Sequence, residues 1–393
     1  MIKSIEDINI DNKTLIIRCD LNVPLKDNKI TDDNRIKMSL KTINYAIDHN
    51  CKVIILSHLG RVKTLEDKKT YSLLPVCKRL EELLSRTVTF VNETRGSVLE
   101  ETVKNMKNKD IVLVENTRFE DLDNQKESKC DMELGRYWAS FGDIFINDAF
   151  GTCHRSHASN VGISSYLPSA VGFLVEKELR MLKQNLDNPK RPYVVIMGGA
   201  KVEDKIKVID KLIKKADYLL VGGGIANTFK VAQGYDLKSS LYDKNSLDYC
   251  KNILSKYKDK VIIPVDGYYT SKYQDGLDTG YCMLDKVPDG MMVLDIGPKS
   301  IDLFEKYLRD ANTIFWNGPV GVSEFKNFEY GTKELCEILS KTNASVIVGG
   351  GDSAAAAIRF GYKDKFTHIS TGGGASLELI EKGTLPAIKA MDK

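Results

Sequence analysis

Five arginines and a set of glycine turns are the residues with the means to do chemistry. Arg18, Arg35, Arg61, Arg118 and Arg155 each fall at or near the loop that follows an apolar run. One surface guanidinium is ordinarily half of a solvated ion pair. Five at equivalent loops argue for a cradle for phosphate or carboxylate, which a planar fork grips through two parallel hydrogen bonds. The stretch 345–357 reads as a strand, then Gly-Gly-Gly-Asp-Ser, then an Ala-rich helix. Its glycines let backbone N–H groups approach an oligophosphate at the positive end of the helix. Asp352, in the first turn, can cap that helix or ligate magnesium carried on phosphates. A plain N-cap after a glycine turn fits the same pattern. A second strand-to-helix turn, from Gly198 to Lys205, carries Lys201 and Lys205 four residues apart on one side of a helical turn. A cation there opposes the helix dipole unless an anion is bound, while Glu203 and Asp204 favour a solvated lysine pair. Cys153, His154 and His157 raise a zinc site, but the sequence has no matching ligand cluster elsewhere to complete a tetrahedron. His49 and His368 are read as structural.

Composition narrows the partners. The chain has 393 residues, room for two domains. Its 57 Lys+Arg against 54 Asp+Glu leave a net charge of +3. That is too balanced for a main partner that is a polyanion, so nucleic acid is not expected and any anion site must be local. No apolar run approaches the ~20 residues of a membrane span. The start shows no secretory pattern. Eight cysteines without a CxxC pair read as buried thiols in a reducing compartment, and a cytoplasmic protein is expected. Eleven of the thirteen arginines lie at or before Arg191, whereas 22 of the 29 glycines follow it. The two halves are thus equipped to bind different parts of one anionic reaction.

Short apolar runs alternating with amphipathic helices predict α/β structure with parallel sheets in both halves. The runs are 14–18, 52–56, 111–115 and 143–147, then 193–197, 218–221, 261–265, 291–294, 313–316, 345–348 and 368–370. Ile36, Leu40, Ile43 and Ile47 share one face of a helix after the first loop. Leu174, Val175, Leu179, Leu182 and Leu186 mark a connecting helix that stops at Asn188-Pro189. Polar residues and glycines gather after the strands, where open parallel sheets bind ligands. No P-loop pattern and no dinucleotide fingerprint occur, so a nicotinamide dehydrogenase finds no support.

IIRCDLNVPL, SHLGR, ENTRF, FGTCHRSHAS, GGAKVEDKI, WNGPVGVSEF, GGGDSAAA and TGGGASLELIEKGTLP stand in the order and spacing of the phosphoglycerate kinases, and the chain resembles that family from about Leu15 to Pro386. The resemblance implies two doubly wound parallel-sheet (Rossmann-like) domains facing each other across a cleft and joined by a helix. Residues 1–173, completed by 380–393, would bind phosphoglycerate; 174–190 would form the connecting helix and hinge; 191–379 would bind nucleotide. The implied reaction is glycolytic phosphoryl transfer between 1,3-bisphosphoglycerate and MgADP, giving 3-phosphoglycerate and MgATP, with Mg2+ required and a monomer expected. By matching motifs, Asp20, Leu21 and Asn22 would hold the hydroxyl and carboxylate end of the glycerate. His58, Leu59, Gly60, Arg61, Arg118 and Arg155 would hold its non-reacting phosphate. Arg35 would reach the transferring group, together with Lys201 and the helix-capping Gly373 and Gly374. Lys205, Val293, Glu324, Gly350, Gly351, Asp352 and Ser353 would bind nucleotide, with Asp352 on the magnesium and Glu324 on the ribose.

Three positions depart from the family pattern. Val293 and Ala387 replace glycines, and Ser323 replaces a phenylalanine. None carries a charge the reaction needs. A silent nucleotide-binding module is the competing class, and it would be marked by loss of Arg35, Lys201 or Asp352; all three are present.

Overall fold

Runs such as Val53, Ile54 and Ile55 are apolar on both faces, and a strand of that kind is stable only in the middle of a covered parallel sheet. The computed structural model of the chain describes residues 2–392 and has two such sheets. The backbone separates into two compact units, Met1–Leu179 with Thr384–Lys393, and Arg180–Gly383. The fold is α/β.

The first unit contains β1 (Thr14–Cys19), a small hairpin of β2 (Leu25–Lys26) and β3 (Lys29–Ile30), β4 (Lys52–Leu56), β5 (Thr89–Val91), β6 (Ile111–Val114), β7 (Ile144–Asp148) and β8 (Ser169–Val171). Its six-stranded sheet runs β5-β6-β4-β1-β7-β8, all parallel. Register sets the site: Arg18 lies opposite Leu56 on one side and Asn147 on the other. The loops after β1, β4 and β7 therefore leave the sheet side by side. The helix Asn34–Asp48 buries Ile36, Ile43, Ala46 and Ile47 against this sheet. Each fully buried isoleucine contributes about 1.5–3 kcal/mol.

The second unit contains β9 (Tyr193–Met197), β10 (Tyr218–Val221), β11 (Val261–Ile262), β12 (Asp266–Thr270), β13 (Gly280–Met283), β14 (Met292–Ile296), β15 (Thr313–Asn317), β16 (Ser345–Gly349) and β17 (His368–Ile369). Its parallel sheet runs β11-β10-β9-β15-β16-β17. Asn317 lies opposite both Met197 and Gly349, so three glycine turns share one edge. The helix Phe173–Asp187 passes from the first unit into the second. Helix Pro386–Met391, in the first unit, places Ala387 in the interior with its N–H donating to the Cys153 carbonyl at 3.1 Å.

Two runs behave differently from their sequence signal. The run 291–294 joins no parallel sheet; β14 pairs antiparallel with β12 in a three-stranded sheet ordered β13-β12-β14. Its partner strand, Asp-Gly-Tyr-Tyr-Thr, is too polar to announce itself as a core strand. The run 261–265 pairs only over Val261–Ile262, because Pro264 has no N–H for a ladder. The eight cysteines are all free thiols. Among the described residues no helix is long and apolar enough to cross a membrane.

Candidate functional site

In the first unit, a single buried amide shapes the loop that bears His58 to Arg61. Asn116, fully buried after β6, accepts from the N–H groups of Leu59 (3.1 Å) and Arg118 (3.0 Å). Its amide nitrogen donates to the carbonyls of Leu59 (2.7 Å) and Tyr71 (2.8 Å). The Asn22 side chain accepts from Gly60 N at 2.9 Å, and Ser57 Oγ accepts from Leu21 N at 3.0 Å. Gly60 sits at φ +62 with the Tyr71 ring against it, which excludes a side chain there. Three sequence motifs are thus tied into one surface.

The guanidiniums converge on that surface. Arg155 is exposed, and its pKa is lowered by partial burial and by the adjacent charges of Arg118 and Arg61. Arg118 gives Nη1 to Asp121 (3.0 Å) and Ser128 (2.6 Å), while its Nε is buried without a partner. Among the described residues no carboxylate pairs with Arg61 or Arg155. Arg35 is 37% exposed and ion-paired with buried Asp20. Burial pushes the His58 pKa well below its ordinary value, and Arg18, Arg118, His157 and Arg35 lower it further. His157 is pushed down to about 3 by burial and by Arg118, Arg18 and Arg155. Arg155 Nε donates to His154 Nε2 at 3.2 Å, and a surface that lowers the pKa of His58 and His157 and leaves two guanidiniums without carboxylates suits an anion.

In the second unit the partners are backbone groups. Gly350 caps the helix Gly351–Arg359 at φ +89, and Gly373 caps the helix Gly374–Lys382 at φ +50. First-turn N–H groups at such helix starts have no intrahelical acceptor, although that of Ala375 donates to the Gly372 carbonyl at 2.9 Å. Lys201 is exposed, whereas Lys205 is half-buried and donates to the carbonyls of Gly198 (2.6 Å) and Asn317 (3.3 Å). Burial lowers Lys205 to about 8, against the opposing pull of Asp352 and Asp204. Asp352 is exposed in the first turn and acts electrostatically on Lys205; among the described residues no ion pair involves it. A free carboxylate there suits a magnesium ion whose other ligands are phosphate oxygens and water. Glu324 is exposed and accepts from the Tyr273 hydroxyl at 3.0 Å. The Asn317 carbonyl oxygen Oδ1 is buried without a partner.

Three residues sit otherwise than their motifs suggest. Arg18 is no loop residue: it lies within β1, fully buried. The Ser353 hydroxyl is occupied by the Gly349 carbonyl (2.5 Å) and Gly318 N (3.2 Å), so it braces two glycine turns, and only its backbone N–H is left for a ligand. Val293 packs on Leu237, Leu284 and Val287 and lines a cavity of only ≈ 20 Å³ beside Gly223, Asn227 and Val320. Ser323 is buried, its carbonyl accepting from Arg359. Among the described residues no cluster of three metal-ligating side chains occurs around His154 and His157 or elsewhere. Glu127, fully buried, lies in none of the motifs; Asn116, Ser159 and Asn317 lie within them, but a motif does not show which partners an amide or hydroxyl holds.

A family model described as phosphoglycerate kinase matches residues 5–383. The chain is 52% identical over 395 residues to a phosphoglycerate kinase of Fusobacterium nucleatum, covering 100% of this chain and 99% of that one. The chain belongs to the phosphoglycerate kinase family. A phosphoglycerate kinase of Enterococcus faecalis is 53% identical over 392 residues, with 99% of each chain covered. The structure of a phosphoglycerate kinase from Coxiella burnetii superposes with a TM-score of 0.88 at 38% identity, over 100% of this chain and 98% of that chain. One from Pyrococcus horikoshii gives a TM-score of 0.84 at 32% identity, over 99% of this chain and 98% of that chain. As a member of the phosphoglycerate kinase family the chain is an enzyme of glycolysis, a phosphotransferase.

Two outcomes are expected. Asn116→Ala removes partners from four backbone groups and should cost about 2–4 kcal/mol of stability in urea denaturation. ADP binding should weaken as pH rises through about 8, where ligand-free Lys205 gives up its proton. Lys205→Met should weaken binding and flatten that slope, which calorimetric titration from about pH 7 to about 9.5 measures.

Proposed function

We propose that the arginine surface of the first unit holds the glycerate substrate and that the glycine turns of the second hold MgADP or MgATP. The chain then moves a phosphoryl group reversibly between 1,3-bisphosphoglycerate and MgADP, giving 3-phosphoglycerate and MgATP. The observation that carries this reading is the meeting of Arg61, Arg118 and Arg155 without carboxylates for Arg61 and Arg155. In this reading residues 1–173 with 380–393 are the phosphoglycerate domain, 174–190 the connecting helix and hinge, and 191–379 the nucleotide domain. The protein acts as a monomer in the cytoplasm, a compartment that suits eight unpaired thiols.

In the ATP-consuming direction the attacking group is the carboxylate of 3-phosphoglycerate, already ionised at neutral pH. No general base is needed. Asp20 and Asn22 orient the hydroxyl and carboxylate end, while His58, Arg61, Arg118 and Arg155 grip the distant phosphate. The transition state for phosphoryl transfer is loose, so the chain contributes alignment and charge. Arg35 and Lys201 stabilise the migrating group, joined by first-turn N–H groups of the helix that Gly373 and Gly374 begin. Lys205 and the Gly350–Ser353 turn hold the nucleotide phosphates, and Glu324 the ribose. Asp352 would hold magnesium, which would supply charge neutralisation at those phosphates. Water would compete as acceptor, so transfer requires the two units to come together once both substrates are bound.

The direct test supplies ATP, magnesium and 3-phosphoglycerate and detects the acyl phosphate by coupled reduction; folded protein with no turnover refutes the proposal. Arg35→Ala should lower kcat by about 10²–10³-fold with the KM for 3-phosphoglycerate nearly unchanged. Arg155→Ala should chiefly raise that KM. In small-angle scattering, both substrates together should reduce the radius of gyration and either alone should do less; an unchanged value with both would count against closure.

A further inference from the structure

β1 carries an arginine that never reaches the surface. Arg18 is fully buried, and each of its nitrogens has an assigned partner. Nε donates to Ser159 Oγ at 2.9 Å, Nη1 to the Cys19 carbonyl at 2.5 Å, and Nη2 lies 3.1 Å from His58 Nδ1. Ser159 is fixed in turn by Glu127, also fully buried. Glu127 accepts from Ser159 N at 2.9 Å and from Ser159 Oγ at 2.5 Å. The hydroxyl has one hydrogen and gives it to Glu127, so toward Arg18 it can only accept.

A guanidinium has donors and no acceptor, so His58 Nδ1 must be the acceptor. The ring proton is then on Nε2, and the ring is uncharged. The geometry points to Arg18, held by Ser159 and Glu127, as a positioning residue that fixes His58 as the neutral Nε2–H tautomer for substrate recognition. The inference rests on the reading of this surface as the glycerate site.

Electrostatics agree with the geometry. The groups that act on His58 are Arg18 from β1, Arg35 from the helix Asn34–Asp48, Arg118 from the loop after β6, and His157; all oppose a charge on its ring. The nearby carboxylates are occupied, Asp20 by Arg35 and Glu127 by Ser159. An unrestrained imidazole beside an arriving phosphate would take a second proton on its free nitrogen. Arg18 occupies that nitrogen. The cradle's charge is therefore set by guanidiniums, which do not titrate, and His58 adds a single directional donor.

The test is the ring-nitrogen NMR spectrum of the full-length protein labelled in its histidines, with His58→Gln giving the assignment. His58 should show a protonated Nε2 and a bare Nδ1 from about pH 5 to about pH 8. Adding 3-phosphoglycerate should shift the Nε2–H signal and leave Nδ1 bare. Arg18→Lys keeps the charge but loses the fork; it should mix the tautomers and raise the KM for 3-phosphoglycerate about tenfold, with kcat changed far less. Ser159→Ala, a milder change, should move both readouts in the same direction. A charged ring at neutral pH, or a proton on Nδ1 in the unaltered protein, overturns the inference, and that measurement decides alone should neither variant fold. Folded variants with tautomer and KM both unchanged overturn it too. If the tautomer depends on Arg18 but 3-phosphoglycerate leaves the His58 signals unmoved, the positioning role stands and the glycerate reading of His58 falls.

Discussion

Like charges held together without their counter-ions are the constraint on which the first unit depends. Guanidiniums at neighbouring positions repel, and in the absence of an anion this costs stability that must be recovered elsewhere. The recovery is in the layer beneath. Asn116 satisfies four backbone groups, Asp20 pairs with Arg35, Asp121 with Arg118, and Glu127 answers Arg18 through Ser159. Carboxylates sit under or beside the arginines closest to the sheet, and none faces the outermost two. Charge thus becomes less compensated from the sheet outward, which is what a surface awaiting a phosphate requires.

The second unit meets the same problem with a different resource. Where the first uses side chains, it uses peptide N–H groups at helix starts, which carry partial charge and occupy no space beyond the backbone. That accounts for its glycines. At Gly350 a positive φ turns the chain into the helix, and no ordinary side chain is at ease there. Ser353 and Lys205 brace the turns from within, tying β9, β15 and β16 together at their carboxyl ends. Lys205 donates to the carbonyls of Gly198 and Asn317, and its burial there lowers its pKa to about 8, a shift that a neighbouring anion would oppose. Phosphoryl transfer demands little covalent help from a protein, and a division into a guanidinium surface and an amide surface suits it.

Much of this was legible in the residues. The parallel strands 52–56, 193–197 and 218–221 agree with the observed elements to the residue, because a continuous apolar run has few other ways to be buried. The helix Asn34–Asp48 follows from its 3.6-residue spacing. The antiparallel β12–β14 pairing was not legible, since alternation in a half-exposed strand is weak and β14 alone looks like a core strand. Val293 could be recognised as unusual from its motif, but not that its bulk is taken up by Leu284 and Val287 nearby and by Leu237, which is remote in sequence.

By itself, the sequence determined which groups are available: arginines before residue 191, glycines after it, and motifs whose order marks the family. It marked most of the central parallel strands as well, because burial of a local run is a local property, but not the short edge strands Thr89–Val91 and Ser169–Val171 or the antiparallel Asp266–Thr270 and Gly280–Met283. Only the tertiary structure decided which arginines face an anion and which one stays inside. Arg18 and Arg61 look alike in a sequence, each near a strand end, yet one is enclosed by Ser159, Glu127 and His58 and the other lies open. The difference comes from parallel register, which sets β1 between β4 and β7 and closes the 157–160 turn over Arg18. Register is a relation between distant segments, and no residue carries it alone.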